Sequence, residues 1–178
     1  MNEEAIYQML QGKNKILLFR KYGDSSEGVR LAFQIGHTFS YSRELNKITT
    51  KDGVVIKVGE LDSEVPISAI QSKKDPLFST LQSCMISGHK VEMWEVTVDE
   101  DVKNEEGKYP AVYAQGYLDS WDLPAEVEDE AQIDSTLQVE YEPQFGFTSL
   151  SKEQELAIQY AFIEVNEQPK NIGEDVEG

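Results

Sequence analysis

Apolar and polar side chains alternate with a period of two along much of the chain, which predicts a protein built mainly from β-strands. The odd positions of residues 31–41 are mostly apolar or aromatic, and residues 131–141 alternate in the same way. Because successive side chains of a strand point to opposite faces, such runs are typical of strands with one face in a core. Further strands are predicted at residues 16–22, 91–98 and 110–121.

Two turn signals predict hairpins. The cluster Gly-Asp-Ser-Ser-Glu-Gly at residues 23–28 separates the first two runs, so these should pair as antiparallel strands. Asp52-Gly53 is a dipeptide typical of a tight hairpin, and further alternating runs follow it. Because residues 42–62 are mostly polar, we expect the second hairpin to project from the body as a loosely held arm.

One helix is predicted clearly. Asp75 suits the N-cap and Pro76 the first helical position, while Gly88 suits the end of the helix. The apolar positions between them fall on one face, which should be buried: Leu77, Phe78, Leu81, Cys84 and Met85. Cys84 is therefore interpreted as a small core side chain.

The C-terminal region carries mixed signals. Ser151 and Gln154 fit a capping box, whereas the apolar residues that follow step by two. We expect one helical turn that passes into an edge strand. Residues 1–165 should form a single domain, followed by a flexible acidic tail at residues 166–178. About eight strands and one helix indicate two packed antiparallel sheets, as a β-sandwich or partly rolled barrel with one flanking α-helix.

Charge is distributed unevenly along the 178 residues. The net charge is −17, yet residues 1–90 carry 12 basic and 10 acidic side chains while residues 91–178 carry 4 and 23. A protein that grips nucleic acid needs a basic stripe facing the phosphates, which excludes that class for the second half. An acidic surface is ordinarily a solvated one, and the alternative is a surface that repels DNA.

The sequence offers no recognisable catalytic or cofactor chemistry. The one cysteine closes no intramolecular disulfide, so the fold needs no oxidising compartment, and the two histidines, His37 and His89, form no metal-ligand spacing. No phosphate loop or nucleophile elbow is present. No apolar run is long enough to span a membrane. We therefore expect an intracellular protein without catalytic residues, metal, cofactor or membrane contact.

Two interpretations from other classes stay open at this point. An accessory β-sandwich binding module would explain the strands and aromatic residues. A hydrolase would need two carboxylates in a cleft, and acidic neighbours such as Asp99 and Asp101 arise by chance among 33 acidic residues.

Several segments together resemble the major tail protein family of phages with long, flexible, non-contractile tails. The likeness runs in order from about residue 12 to residue 165. It is carried by LAFQ after the opening strand, the Thr-x-Lys-Asp-Gly turn at residues 49–53, Gln-Gly-Tyr-Leu at residues 115–118 and Gln-Tyr-Ala-Phe at residues 159–162.

The resemblance implies a tail-tube subunit, a structural virion protein that forms stacked hexameric rings around the tape measure protein and conducts DNA during ejection. Tail-terminator and tail-tip proteins are the further partners it implies. The location would be the virion tail, with assembly in the host cytoplasm. A head-tail connector or tail-terminator ring protein is the alternative within the same family.

Two sets of residues are singled out on this interpretation. An acidic channel wall would keep DNA from adhering, because phosphate gains no counterion release beside like charge. Candidate wall residues on the polar face of the 131–141 strand are Asp134 and Glu140. Candidate residues of an arm linking successive rings are Lys47, Lys51, Asp52, Gly53 and Lys57.

Overall fold

Eight antiparallel strands form one continuous sheet in the computed structural model, which describes residues 8–159. The strands are β1 (Lys15–Lys21), β2 (Val29–Arg30), β3 (Gln34–His37), β4 (Ser40–Thr50), β5 (Gly53–Ile70), β6 (Val91–Thr97), β7 (Tyr109–Asp122) and β8 (Gln132–Thr148). The helices are α1 (Pro76–Ser87) and α2 (Lys152–Gln159). Within the described residues, no helix is long and apolar enough to cross a membrane.

The sheet is curled into a half-barrel. Its strands follow the order β2-β1-β6-β7-β8-β5, and β3 and β4 pair one after the other along the far side of β5. The prediction of a mainly β, partly rolled fold with a flanking helix is confirmed. Where two packed sheets were predicted, the strands form one curled sheet, because β5 and β8 are hydrogen-bonded neighbours over residues 64–70 and 132–138.

The main core fills the inside of the curl. It combines the inward side chains of five strands with one face of α1, and its fully buried members include Leu17, Phe19, Val65, Met93 and Leu137. A second, smaller cluster lies on the other side of β1, β6 and β7 around Ile16, Leu18, Val96 and Tyr109. Both faces of β1, β6 and β7 therefore carry buried side chains.

Helix α1 has the predicted boundaries. The Asp75 carboxylate accepts a hydrogen bond from the Leu77 amide at 2.9 Å, and the helix ends at Gly88. Its buried side chains include Leu81 and Cys84. Cys84 is buried in the core, which confirms its interpretation as a core residue, and this burial raises the pKa of its thiol.

The prediction of one long strand over residues 31–41 is wrong. Phe33, with a φ of 49°, lies in the break between β2 and β3, and a second break at residues 38–39 separates β3 from β4. Tertiary hydrogen bonds hold the first break, because the Gln34 side chain pairs with both the amide and the carbonyl of Leu17 at 2.9 and 2.7 Å. The carboxamide thereby occupies the place of a neighbouring strand beside β1.

The predicted passage from helix to strand after Ser151 is also wrong as far as residue 159. The capping box forms, since the Ser151 amide donates to Gln154 and the Gln154 amide donates to the Ser151 hydroxyl at 2.9 and 3.2 Å. With this start, the helix-favouring residues 152–157 continue as α2 to Gln159. The predicted domain boundary at residue 165 and the tail at 166–178 lie outside the described residues.

Candidate assembly surfaces

The outward face of β5, β7 and β8 is acidic. Asp134 lies between Ser68 of β5 and Asp122 of β7 in the strand register, and its carboxylate accepts a short hydrogen bond from the Ser68 hydroxyl. Asp122 and Asp134 therefore meet across neighbouring strands. Their meeting follows from the pairing of β7 with β8, which the sequence pattern of either strand leaves open.

Gln138 ties two more carboxylates into this face. Its side-chain Nε2 donates to Asp119 of β7 at 2.8 Å and to Glu64 of β5 at 3.2 Å. Sequence reasoning missed both acids, although the outward position of Glu64 is readable from the alternation of residues 61–69. We name as the acidic face the residues Glu64, Asp119, Asp122, Asp134 and Glu140.

Glu140 differs from the other members of the acidic face, because it forms an ion pair with Lys90. The hydrogen bond from this pair raises the pKa of Lys90. The Lys90 ammonium also lies 4.9 Å from the Tyr22 ring centroid and 5.8 Å from that of Tyr117. Among the described residues, the other four members of the acidic face form no ion pair.

The predicted arm is a two-stranded hairpin of β4 and β5. Its turn lies at Lys51 and Asp52, and Gly53 closes it with a φ of 128° that favours glycine. The Thr50 hydroxyl donates to the Gly53 carbonyl at 2.8 Å and accepts from the Asp52 amide at 3.3 Å. The hairpin signal in Asp52-Gly53 is thereby confirmed.

The arm presents more apolar surface than its mostly polar composition predicted. Lys47 lies opposite Ile56 and Lys57 lies opposite Asn46, so these two lysines project from opposite faces of the hairpin. Exposed apolar side chains accompany them: Leu45, Ile48, Val54, Val55, Ile56 and Val58. Within one subunit these side chains have little to pack against, which favours contact with another protein.

A cavity of about 800 Å³ opens at the end of the half-barrel from which the arm departs; we call it the mouth. Three polar side chains form a cluster in it, in which His37 and Glu95 are buried and Lys15 is partly exposed. His37 Nε2 lies 2.7 Å from one Glu95 oxygen and Lys15 Nζ lies 2.9 Å from the other. Burial alone would raise the pKa of Glu95, but the hydrogen bonds from His37 and Lys15 outweigh it and hold the pKa below its usual value.

Arg30 adds a further cation to the mouth. Its Nε atom is buried and has no hydrogen-bond partner, and burial lowers the pKa of the guanidinium. Phe39 and Tyr41 stack in the wall with ring centroids 4.8 Å apart, and the ring of Phe145 is 75% exposed beside them. Sequence reasoning missed the mouth, because its residues come from strands far apart in the chain.

The opposite end of the half-barrel carries an acidic loop, residues 123–131 between β7 and β8. Its ends are held by hydrogen bonds from the Gln132 amide to the Pro124 carbonyl at 3.0 Å and from the Gln71 amide to the Ala131 carbonyl at 2.8 Å. Val127 is fully exposed at its centre. The loop carries four carboxylates and no cation: Glu126, Glu128, Asp129 and Glu130.

An acidic sheet face, an exposed apolar arm and a mouth left open by residues 8–159 define a β-structured protein whose surfaces suit assembly rather than catalysis. The chain belongs to the phage tail tube protein family, whose sequence model matches residues 9–145. Members of this family are structural proteins of the virion tail, so the chain is a tail-tube structural protein and not an enzyme.

Two relatives agree with this assignment. A tail protein of Staphylococcus phage phiMR25 is 24% identical over 172 residues, which cover 94% of this chain and 89% of that protein. The tail tube protein gp17.1* of Bacillus phage SPP1 is 27% identical over 108 residues, which cover 61% of this chain and 40% of that longer protein.

Solved structures share the fold. The SPP1 tail tube, determined by solid-state NMR and cryo-EM, matches with a TM-score of 0.73 at 17% identity, over 96% of this chain and 95% of that one. The tail of an empty gene transfer agent particle with C6 symmetry gives 0.60 at 15% identity, over 78% and 98%. The tube-terminating cap of the anti-feeding prophage gives 0.54 at 12% identity, over 83% and 97%.

Proposed function

We propose that copies of this chain form hexameric rings. The rings would stack around a tape measure protein in the host cytoplasm, and the stack would be the tube that conducts DNA. The membership in the tail tube family carries the proposal. The C6 symmetry of the gene transfer agent tail supports six subunits per ring. A closed ring would also cover the exposed outer edge of β4, which is otherwise a liability for aggregation.

The acidic face would line the channel. It extends over three neighbouring strands and holds five carboxylates, of which Glu140 alone is paired with a cation. Hydrogen bonds such as those from Gln138 fix the carboxylates on the wall. DNA phosphates passing this wall would meet carboxylates and a Lys90 ammonium that Glu140 already neutralises, so they would gain little counterion release and the DNA would slide without specific binding.

The arm would link successive rings. The arm belongs to the half of the chain with more basic than acidic residues, and its turn at Lys51 and Asp52 lies beyond the half-barrel. Its apolar side chains are exposed in the single subunit. Contact with the next ring would order the arm and cover these side chains together. The arm would present one positive charge on each face, from Lys47 and Lys57, while Gly53 would allow its tight turn.

Electron microscopy of the purified chain at high concentration tests the proposed function. We expect tubes with a regular axial repeat and sixfold rings in end view. A chain that stays monomeric by light scattering over a wide concentration range, alone and with the tape measure protein of the same virus, would refute the proposal. The mixture is part of the test because an initiator can be needed to start the tube.

A tail-terminator ring is a second candidate, favoured by the fold likeness to the tube-terminating cap. The tail-terminator would otherwise be a partner at the end of the tube. The higher TM-score against the SPP1 tail tube favours the tube subunit. Single rings that do not stack at any concentration would support the terminator instead.

A further inference from the structure

We infer that the acidic loop 123–131 of one copy enters the mouth of the half-barrel in a copy of the next ring. The inference rests on the proposed stacking of rings and names the surfaces that meet. It starts from two features that lie at opposite ends of the same subunit. Among the described residues, the loop carboxylates form no ion pair and the Nε atom of Arg30 in the mouth has no hydrogen-bond partner.

The mouth needs an anion and apolar contacts. Lys15 and Arg30 place cations around it, and the Glu95 carboxylate is bound by Lys15 and by the His37 ring. Arg30 Nε remains buried without a hydrogen-bond partner, which is unfavourable unless an acceptor arrives. The exposed ring of Phe145 stands at the same opening.

The acidic loop supplies both requirements. Its side-chain carboxylates form no ion pair in the described residues, even with Lys73 and Lys74 in the adjacent turn. Val127, the fully exposed side chain among them, presents an apolar group to the outside. An apolar tip flanked by carboxylates complements an aromatic opening flanked by cations.

The loop and the mouth of one subunit are too far apart to meet. Val112 in the mouth and Asp122 before the loop are separated along β7 by ten residues, which is about 33 Å for an extended strand. The loop is also held at its own end by the hydrogen bonds to Pro124 and Ala131. The contact therefore forms only between copies, and its head-to-tail geometry repeats without closing, as a stack of rings requires.

Charge exchange between the two surfaces tests the inference. Arg30→Glu should raise the protein concentration needed for tube formation about tenfold or more, and so should the exposed double change Glu128→Lys with Asp129→Lys, because each leaves like charges facing. The three changes combined should restore most of the assembly. Glu105→Lys with Glu106→Lys makes the same charge change in the 98–108 loop and should have a smaller effect.

A disulfide provides the second readout and does not depend on the folding of Arg30 variants. Val127→Cys and Phe145→Cys in a Cys84→Ala chain are exposed positions that cannot join within one subunit, since a disulfide needs Cα atoms within about 7 Å. Oxidised tubes should give a ladder of linked chains, whereas either single cysteine should give none.

The outcomes separate the two proposals. If wild-type tubes form and both charge variants assemble normally, the loop-in-mouth contact is overturned and the proposed function stands. The same holds if tubes of the double-cysteine chain give no disulfide ladder. A wild-type chain that forms no tubes would overturn both.

Discussion

The Nε2 atom of His37 lies 2.7 Å from Oε2 of Glu95, although 58 residues separate them in the chain. Both side chains are more than nine-tenths buried, and Lys15 holds the other oxygen of the same carboxylate. The lower pKa of Glu95 in the folded protein means that the unfolded chain takes up the proton at a higher pH. The carboxylate therefore stabilises the fold above the usual pKa of glutamate, and this stability is lost as the pH falls through the folded value.

Glu95→Gln should reduce the free energy of unfolding by about 1–3 kcal/mol at neutral pH, because hydrogen bonds to a charged acceptor are replaced by weaker ones. The difference from wild type should shrink as the pH falls below the usual glutamate pKa, where the wild-type advantage is lost. Urea unfolding at a series of pH values measures this. Glu105→Gln, at an exposed position, is the control, and a pH-independent difference would contradict the assignment.

Gly116→Ala should destabilise the fold by more than about 3 kcal/mol. A β-carbon at Gly116 would overlap the Gln138 carbonyl of β8 and lie 3.0 Å from the Val139 Cα, so two paired strands would have to separate. Gly146→Ala, where a β-carbon meets nothing within 4 Å, is the matched control in the same sheet. Equal urea midpoints for the two variants would show that β7 and β8 do not approach so closely.

The Tyr113 hydroxyl should ionise only at an unusually high pH. Burial, followed by its hydrogen bond to Glu92, raises the pKa of Tyr113 to about 12 from 10.0. Because the pKa is raised in the folded state, the protonated Tyr113 hydroxyl contributes stability to the fold that is fully present below pH 10 and is lost as the pH rises towards 12. Ultraviolet difference titration should show a tyrosine that ionises near pH 12, and Tyr113→Phe should remove this step. A tyrosine titration unchanged by the substitution would refute this.

Charge reversal on the acidic face should impair DNA passage and leave the fold largely intact. Asp119→Lys with Asp134→Lys places cations on the proposed channel wall, and phage carrying both should release DNA more slowly because phosphates then gain counterion release. Glu105→Lys with Glu106→Lys is the control of equal charge. Release at the wild-type rate from intact tails would show that this face does not line the channel.

Lys51→Glu at the turn of the arm should impair ring stacking more than it lowers the melting temperature of the subunit, since the position is exposed in the single chain. Hydrogen exchange gives an independent readout. Residues 42–62 should gain protection on assembly, whereas equal exchange in monomer and tube would refute a role for the arm between rings.

The sequence by itself determined those features that depend on near neighbours. Helix α1 begins and ends as predicted because Asp75 and Gly88 cap it through local hydrogen bonds. The turn of the arm follows from Asp52-Gly53 for a similar reason, since Gly53 adopts the positive φ that the closing position requires. Alternation also identified the outward face that holds Asp134 and Glu140.

Tertiary structure alone decided which of these elements meet. The break at Phe33 depends on Gln34 reaching Leu17, and no local pattern carries that information. In the same way, the acidic face takes Glu64 and Asp119 from strands on either side of Gln138. A period of two specifies the face on which a side chain lies but not the neighbouring strand or its register, because strand pairing is fixed by long-range packing of the core.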